Sequence, residues 1–127
     1  LVEPWAAGEA ARRRVPGTIE ALEAAVAAMR EGTLSKTYST FRSYSEADQA
    51  FHEAIAAGSG NEAGVRAYAA LSVHLHLSRL YIDRDQDTVA SLAEHEAILE
   101  AVREGRADDA ANAMALHIRC SEVKLLD

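Results

Sequence analysis

Apolar residues recur three and four positions apart along most of the chain, the spacing that lines one face of a helix. The first helix is predicted over Pro4–Arg14, with Pro4 in the opening turn where a missing N–H costs little. Val15-Pro16-Gly17 breaks it. Thr18 reads as the N-cap of a second helix running to about Glu31, with Ile19, Leu22, Val26 and Met29 as its stripe and Gly32 at its end. The hydroxyl-rich stretch from Thr33 to Tyr44 has weak periodicity and reads as a loop or short helical turn. A third helix follows over Ser45–Ala57, where Tyr44, Phe51 and Ile55 share a face with Asp48 and His52. Gly58-Ser59-Gly60 is a break, and Asn61 a good N-cap for a fourth helix reaching Ile82. Within it, Val73-His74-Leu75-His76-Leu77 alternates as a strand does, but the long Ala-rich window around it favours helix.

Past the polar segment Asp83–Asp87, a fifth helix is predicted over Thr88–Glu104. Its stripe is Leu92, His95, Leu99 and Val102, so a histidine stands inside an apolar face. Gly105 is the expected C-cap. A sixth helix spans Ala107–Leu126, opening on Asp108 and Asp109 and carrying Ala110, Met114, His117 and Ser121 on one face. Leu116, Cys120 and Val123 lie on the adjoining face. The expected architecture is all-α, one antiparallel bundle of about six helices over residues 1–127.

Composition narrows the function. The chain has 127 residues, enough for one domain with a core of its own. Its formal net charge is −7, which argues against direct nucleic-acid binding, since phosphate contacts need a basic face. The one basic cluster, Arg12-Arg13-Arg14, suits the C-terminal end of the first helix, where cations oppose the helix dipole. A single cysteine, Cys120, excludes an internal disulfide and fits a reducing, cytoplasmic compartment; it reads as a small core residue. No apolar run is long enough to span a bilayer. The opening LVEPWAAGEAARRR puts its basic residues after the apolar ones, the reverse of a secretory signal. With no initiator Met, the chain reads as a domain cut from something longer.

Three histidines in or beside apolar stripes carry the candidate chemistry. His95 lies ten residues before Gly105 and His117 twelve after it. At roughly 1.5 Å rise per residue, antiparallel helices bring them to nearly the same height. His52 follows Asp48 by one turn, on the same helix face. Any one of these histidines alone reads as a hydrogen-bonded core residue, because a buried polar group without a partner costs roughly 1–3 kcal/mol. Asp48 alone also fits a capping box, Ser45-x-x-Asp48. Together, Asp48, His52, His95 and His117 make a ligand set suited to a divalent transition metal, Zn²⁺ first, with Ni²⁺, Mn²⁺ or Fe²⁺ as alternatives. The di-iron pattern Glu-x-x-His is absent, since Gln49, Leu92 and Met114 precede the three histidines by three. There is no H-E-x-x-H, G-x-S-x-G, P-loop or G-x-G-x-x-G. In a helix His74 and His76 lie about 200° apart and cannot chelate one ion together.

The segments ADQAFHEAIAAGSGNEAG and SLAEHEAILEAVREGRADDAANAMALHI resemble the FCD domain, the C-terminal effector-binding domain of the FadR branch of GntR-type bacterial transcription regulators. The matching elements are Asp48, Phe51 and His52; Gly60 and Asn61; Glu94, His95, Ile98, Leu99 and Ala101; Gly105; and Met114, His117 and Ile118. The opening LVEPWAAGEAARR is similar to the family's first helix, so the resemblance covers nearly the whole chain. Arg106 departs from the acidic cap often found after the glycine, which weakens the start of the sixth helix without reaching the site.

The resemblance implies an antiparallel bundle of six or seven helices in which Asp48, His52, His95 and His117 hold one divalent metal with positions left open. A small carboxylate or sugar acid would bind there and modulate DNA binding by an N-terminal winged helix-turn-helix that this chain lacks, in a homodimeric regulator without turnover. Arg79, on a stripe with Val65, Tyr68, Ser72 and Leu75, is the candidate cation for an anionic effector, although a solvated arginine at a helix end has the same pattern. His76, one turn earlier, is the second candidate for the pocket wall. Two rivals remain. A metal with open positions could activate water in an enzyme, but Glu53 and Glu96 point away from the ligands they follow. A purely structural dimerisation bundle would not respond to chelators.

Overall fold

The computed structural model describes residues 2–33, 38–70 and 88–126. Every regular element among them is helical: α1 (Val2–Arg13), α2 (Pro16–Gly32), α3 (Tyr38–Gly58), α4 (described over residues 62–70), α5 (Thr88–Arg103) and α6 (Ala107–Leu126). No described helix is long and apolar enough to cross a membrane.

Most residues of the predicted stripes are buried, Ile19 only partly, and Ile98, outside the stripe expected for α5, is buried with them. Leu22, Val26 and Met29 of α2, Phe51 and Ile55 of α3, Ile98, Leu99 and Val102 of α5, and Ala110 and Met114 of α6 join one core. α1 contributes only small side chains, Ala6, Ala7, Ala10 and Ala11. That lets backbones approach closely: a Cβ added at Gly8 would stand 3.3 Å from the Ala107 carbonyl oxygen. α2 runs antiparallel to α3, and α1 antiparallel to α6. The start of α2 meets the end of α3 where Thr18 packs on Gly58, and the end of α1 meets the α5–α6 turn where Arg14 crosses Gly105.

Helix ends follow from local chemistry, and some expected boundaries move. Val15 is extended, as a residue before proline must be, and Pro16 opens α2. Thr18 therefore lies inside the first turn and is not the N-cap. α3 begins at Tyr38, so the tract expected as a loop is helical from there onward. Ser45 and Asp48 then sit in mid-helix, which removes the capping-box reading of Asp48. Asn61 does cap α4, its Oδ1 accepting the Gly64 N–H at 3.0 Å. At the end of α5, Gly105 takes φ +72, Arg106 N–H donates to the Ala101 carbonyl (2.9 Å) and Gly105 N–H to that of Val102 (3.1 Å). This paired closure needs a left-handed residue, which glycine supplies without strain. The turn delivers α6 directly: Ala110 N–H donates to the Arg106 carbonyl, and the Arg106 guanidinium pairs with Glu104 and Asp109. The start of α6 is thus secured without an acidic cap.

The basic cluster does more than end its own helix. Arg13 donates to the Gly58 carbonyl at the end of α3 and Arg14 to the Arg103 carbonyl at the end of α5, both at 3.0 Å. Each cation meets another helix's negative end. Of the remaining expectations, Cys120 is half-buried, Leu116 is exposed and so is Val65. The second half of the fourth helix, with His74, His76 and Arg79, lies outside the described residues.

Candidate metal centre

α3, α5 and α6 each bring one imidazole to the bundle interior. His52 and His95 are fully buried and His117 nearly so. The ring centroids of His95 and His117 are 4.3 Å apart, those of His52 and His117 5.3 Å, and those of His52 and His95 5.4 Å. The heights expected from counting along α5 and α6 are therefore realised. Phe51, one residue before His52, turns its ring edge-on to His95 at 4.9 Å and walls the group from the core.

Asp48 completes the cluster. Its Oδ1 lies 2.7 Å from His95 Nε2 and 3.1 Å from His52 Nε2. One donor atom from each of Asp48, His52, His95 and His117 can be chosen so that all lie within 4.8 Å of one another, and such a group could hold a metal ion. Among the sequence-predicted residues, the structure brings these four together.

The Nδ1 atoms explain how the rings are oriented. His52 Nδ1 meets Glu3 Oε1 at 2.5 Å, His95 Nδ1 meets the Ser91 carbonyl at 2.7 Å, and His117 Nδ1 meets Glu94 Oε1 at 2.7 Å. Each is an acceptor, so each Nδ1 is the donor. A neutral imidazole has a single N–H, which leaves Nε2 as the lone-pair nitrogen of each ring. That is the arrangement in which outer carboxylates and carbonyls fix metal-binding histidines. Sequence reading missed Glu3 altogether and noted Glu94 only as part of a Glu-His motif. Glu94 could have been found by noting that a residue beside His95 can reach across a tight helical hairpin; nothing local flags Glu3, which lies forty-nine residues from its partner.

Without a cation the proton count is awkward. His95 faces a carbonyl on one side and the Asp48 carboxylate on the other, and both can only accept when Asp48 is ionised. His52 lies between two carboxylates, and its buried Nε2, although 3.1 Å from Asp48, has no hydrogen bond. At His52 the metal-free site therefore favours an extra proton. Burial opposes charge on His52, but Glu3 and Asp48 outweigh it and raise its pKa to about 9. Burial likewise pushes the Asp48 carboxyl up, yet His52 and His95 hold it well below the usual carboxylate range. A divalent cation among the Nε2 atoms and Oδ1 would replace that proton and engage the buried Nε2 atoms of His52 and His117, which make no hydrogen bond among the described residues, so the residues present fit such an ion.

Glu53 and Glu96, the carboxylates that follow ligand candidates in sequence, are exposed and engaged with Gln49 and Arg30. Above the site, Tyr44 donates to Ser91 Oγ at 2.6 Å, tying α3 to α5 one turn from Asp48 and His95.

No curated protein matches the chain. The sequence model of the FCD domain matches residues 1–119, which takes in α1 to α5, most of α6 and all four clustered residues. The chain belongs to the FCD family, the effector-binding domains of GntR-type transcription regulators.

Proposed function

We propose that this domain is a metal-dependent sensor. Asp48, His52, His95 and His117 would hold one divalent transition metal, Zn²⁺ first, and a small carboxylate or sugar acid would bind at its open positions. The observation that carries this reading is the set of three imidazoles whose Nδ1 atoms are all committed to acceptors, leaving three Nε2 atoms and the Asp48 carboxylate for one ion. Bound there, the metal supplies a Lewis-acidic anchor for the effector's carboxylate. The chain's own residues do the rest. Glu3, the Ser91 carbonyl and Glu94 keep the ring tautomers, and Phe51 packs against His95.

Effector binding would bias a two-state arrangement relative to a separate DNA-binding domain, and family membership supports a cytoplasmic homodimer for that output. Arg79 and His76 stay the candidates for the effector's remaining polar groups. The test is a thermal-shift screen of organic and sugar acids on chelator-treated protein, with and without added Zn²⁺. An effector should raise Tm only in the metal-loaded protein. Acids that stabilise both forms equally would contradict a metal-anchored site.

A further inference from the structure

The first turn of α1 has no fully buried apolar side chain. Val2 is 43% exposed and Trp5 46%, while the buried face of the helix begins at Ala6 and consists of alanines and Gly8. Glu3 is the side chain of that turn that reaches inward, with 13% of its surface exposed, and it meets His52 Nδ1. At the other end, α1 is clipped to α3 by Arg13 and to α5 by Arg14. The three Nδ1 acceptors differ in origin. Ser91 and Glu94 belong to α5, which also carries His95, whereas Glu3 comes from a helix that supplies none of the four clustered residues.

We propose that Glu3 is a positioning residue that couples occupancy of the metal site to the docking of α1. The inference rests on the metal reading given above. An imidazole whose Nδ1–H donates to a carboxylate is held in the Nε2 tautomer and is a stronger ligand, and losing such a partner weakens metal affinity by about 10–100-fold. The coupling is reciprocal. If docked Glu3 strengthens metal binding by a given factor, bound metal strengthens the docking of α1 by the same factor. In a regulator whose DNA-binding domain precedes this one, α1 lies N-terminal to the other helices of the bundle, and metal occupancy would reach that domain as a tighter or looser α1. Glu94 supports His117 from within the α5–α6 hairpin and gives α1 no such handle.

The experiment is Zn²⁺ titration against a competing chelator, paired with hydrogen exchange of the amides of residues 6–13, for the wild type, Glu3→Ala, Glu3→Gln and Glu94→Gln. Zn²⁺ should slow exchange along α1 in the wild type. Glu3→Ala should lose about 10–100-fold in Zn²⁺ affinity and lose the Zn²⁺-dependent slowing at saturation. Glu3→Gln, which keeps an acceptor without the charge, should fall between. Glu94→Gln should also lose affinity but keep the slowing once saturated, which separates coupling from loss of a ligand's support. Wild-type affinity in both Glu3 variants, or α1 exchange indifferent to Zn²⁺ in the wild type, would overturn the coupling alone. A wild type that binds no Zn²⁺ would overturn the metal reading and the coupling together.

Discussion

The two halves of the cluster are built differently. His95, His117 and Glu94 lie on one hairpin, joined by a single glycine turn and separated by at most 23 positions. Asp48, His52 and Glu3 join α3 to α1 across 49 positions, with Pro16, α2 and a further connection between them. The hairpin half needs only two amphipathic helices and a left-handed residue at Gly105. The Glu3 contact of the other half exists only when α1 has docked against α3, because neither helix positions Glu3 by itself. A site made this way has a local part that forms with its secondary structure and a distant part that reports on tertiary packing.

The largest expected effect comes from breaking the junction of the halves. Phe51 is fully buried, with its ring steeply inclined to those of both His95 and His52. Phe51→Ala should cost about 3–5 kcal/mol of stability, read by urea denaturation, and should weaken both halves. Next comes pH, which acts on the distant half. His52 is raised from 6.5 in the unfolded chain to about 9 in the fold, so its contribution is complete below pH 6.5 and is lost as pH rises to about 9. The metal-free protein should lose of the order of 3 kcal/mol over that window, while saturating Zn²⁺ should flatten the slope, since a ligating Nε2 no longer takes up a proton. Denaturant titrations at several pH values, with chelator or Zn²⁺, check this.

Gly105→Ala tests the local half. A side chain at φ +72 costs roughly 1–2 kcal/mol, and the new Cβ would also displace the Arg14 side chain. The loss should be smaller than for Phe51→Ala and should reduce affinity mainly through His95 and His117. The smallest effect is that of Arg14→Ala, which removes an exposed cation from the end of α5; about 0.3–1 kcal/mol is expected, diminishing with added salt.

The same contrast explains what could be read from the chain before its structure. The four clustered residues were legible because each stands on a helix whose period is visible, and because His95 and His117 are nearly equidistant from Gly105. The asparagine cap of α4 and the glycine closure of α5 were legible because their chemistry is local. The start of α3 was not: Tyr38–Tyr44 is hydroxyl-rich and weak in intrinsic preference, and Tyr44 is fixed by a hydrogen bond to Ser91 that no local pattern shows. Thr18 misled because Pro16 already starts the helix at a fixed φ. Arg13 and Arg14 looked like cations ending their own helix, whereas their partners are the carbonyl ends of α3 and α5, visible only after packing.

The central claim is that the three imidazoles and Asp48 serve one metal ion. The most direct test is the metal content of natively purified protein by inductively coupled plasma mass spectrometry, beside His95→Ala and His117→Ala. The account predicts about one equivalent of a divalent transition metal in the wild type, lost in both variants. No metal in the wild type, together with no thermal stabilisation on adding Zn²⁺, Ni²⁺ or Mn²⁺, would contradict it.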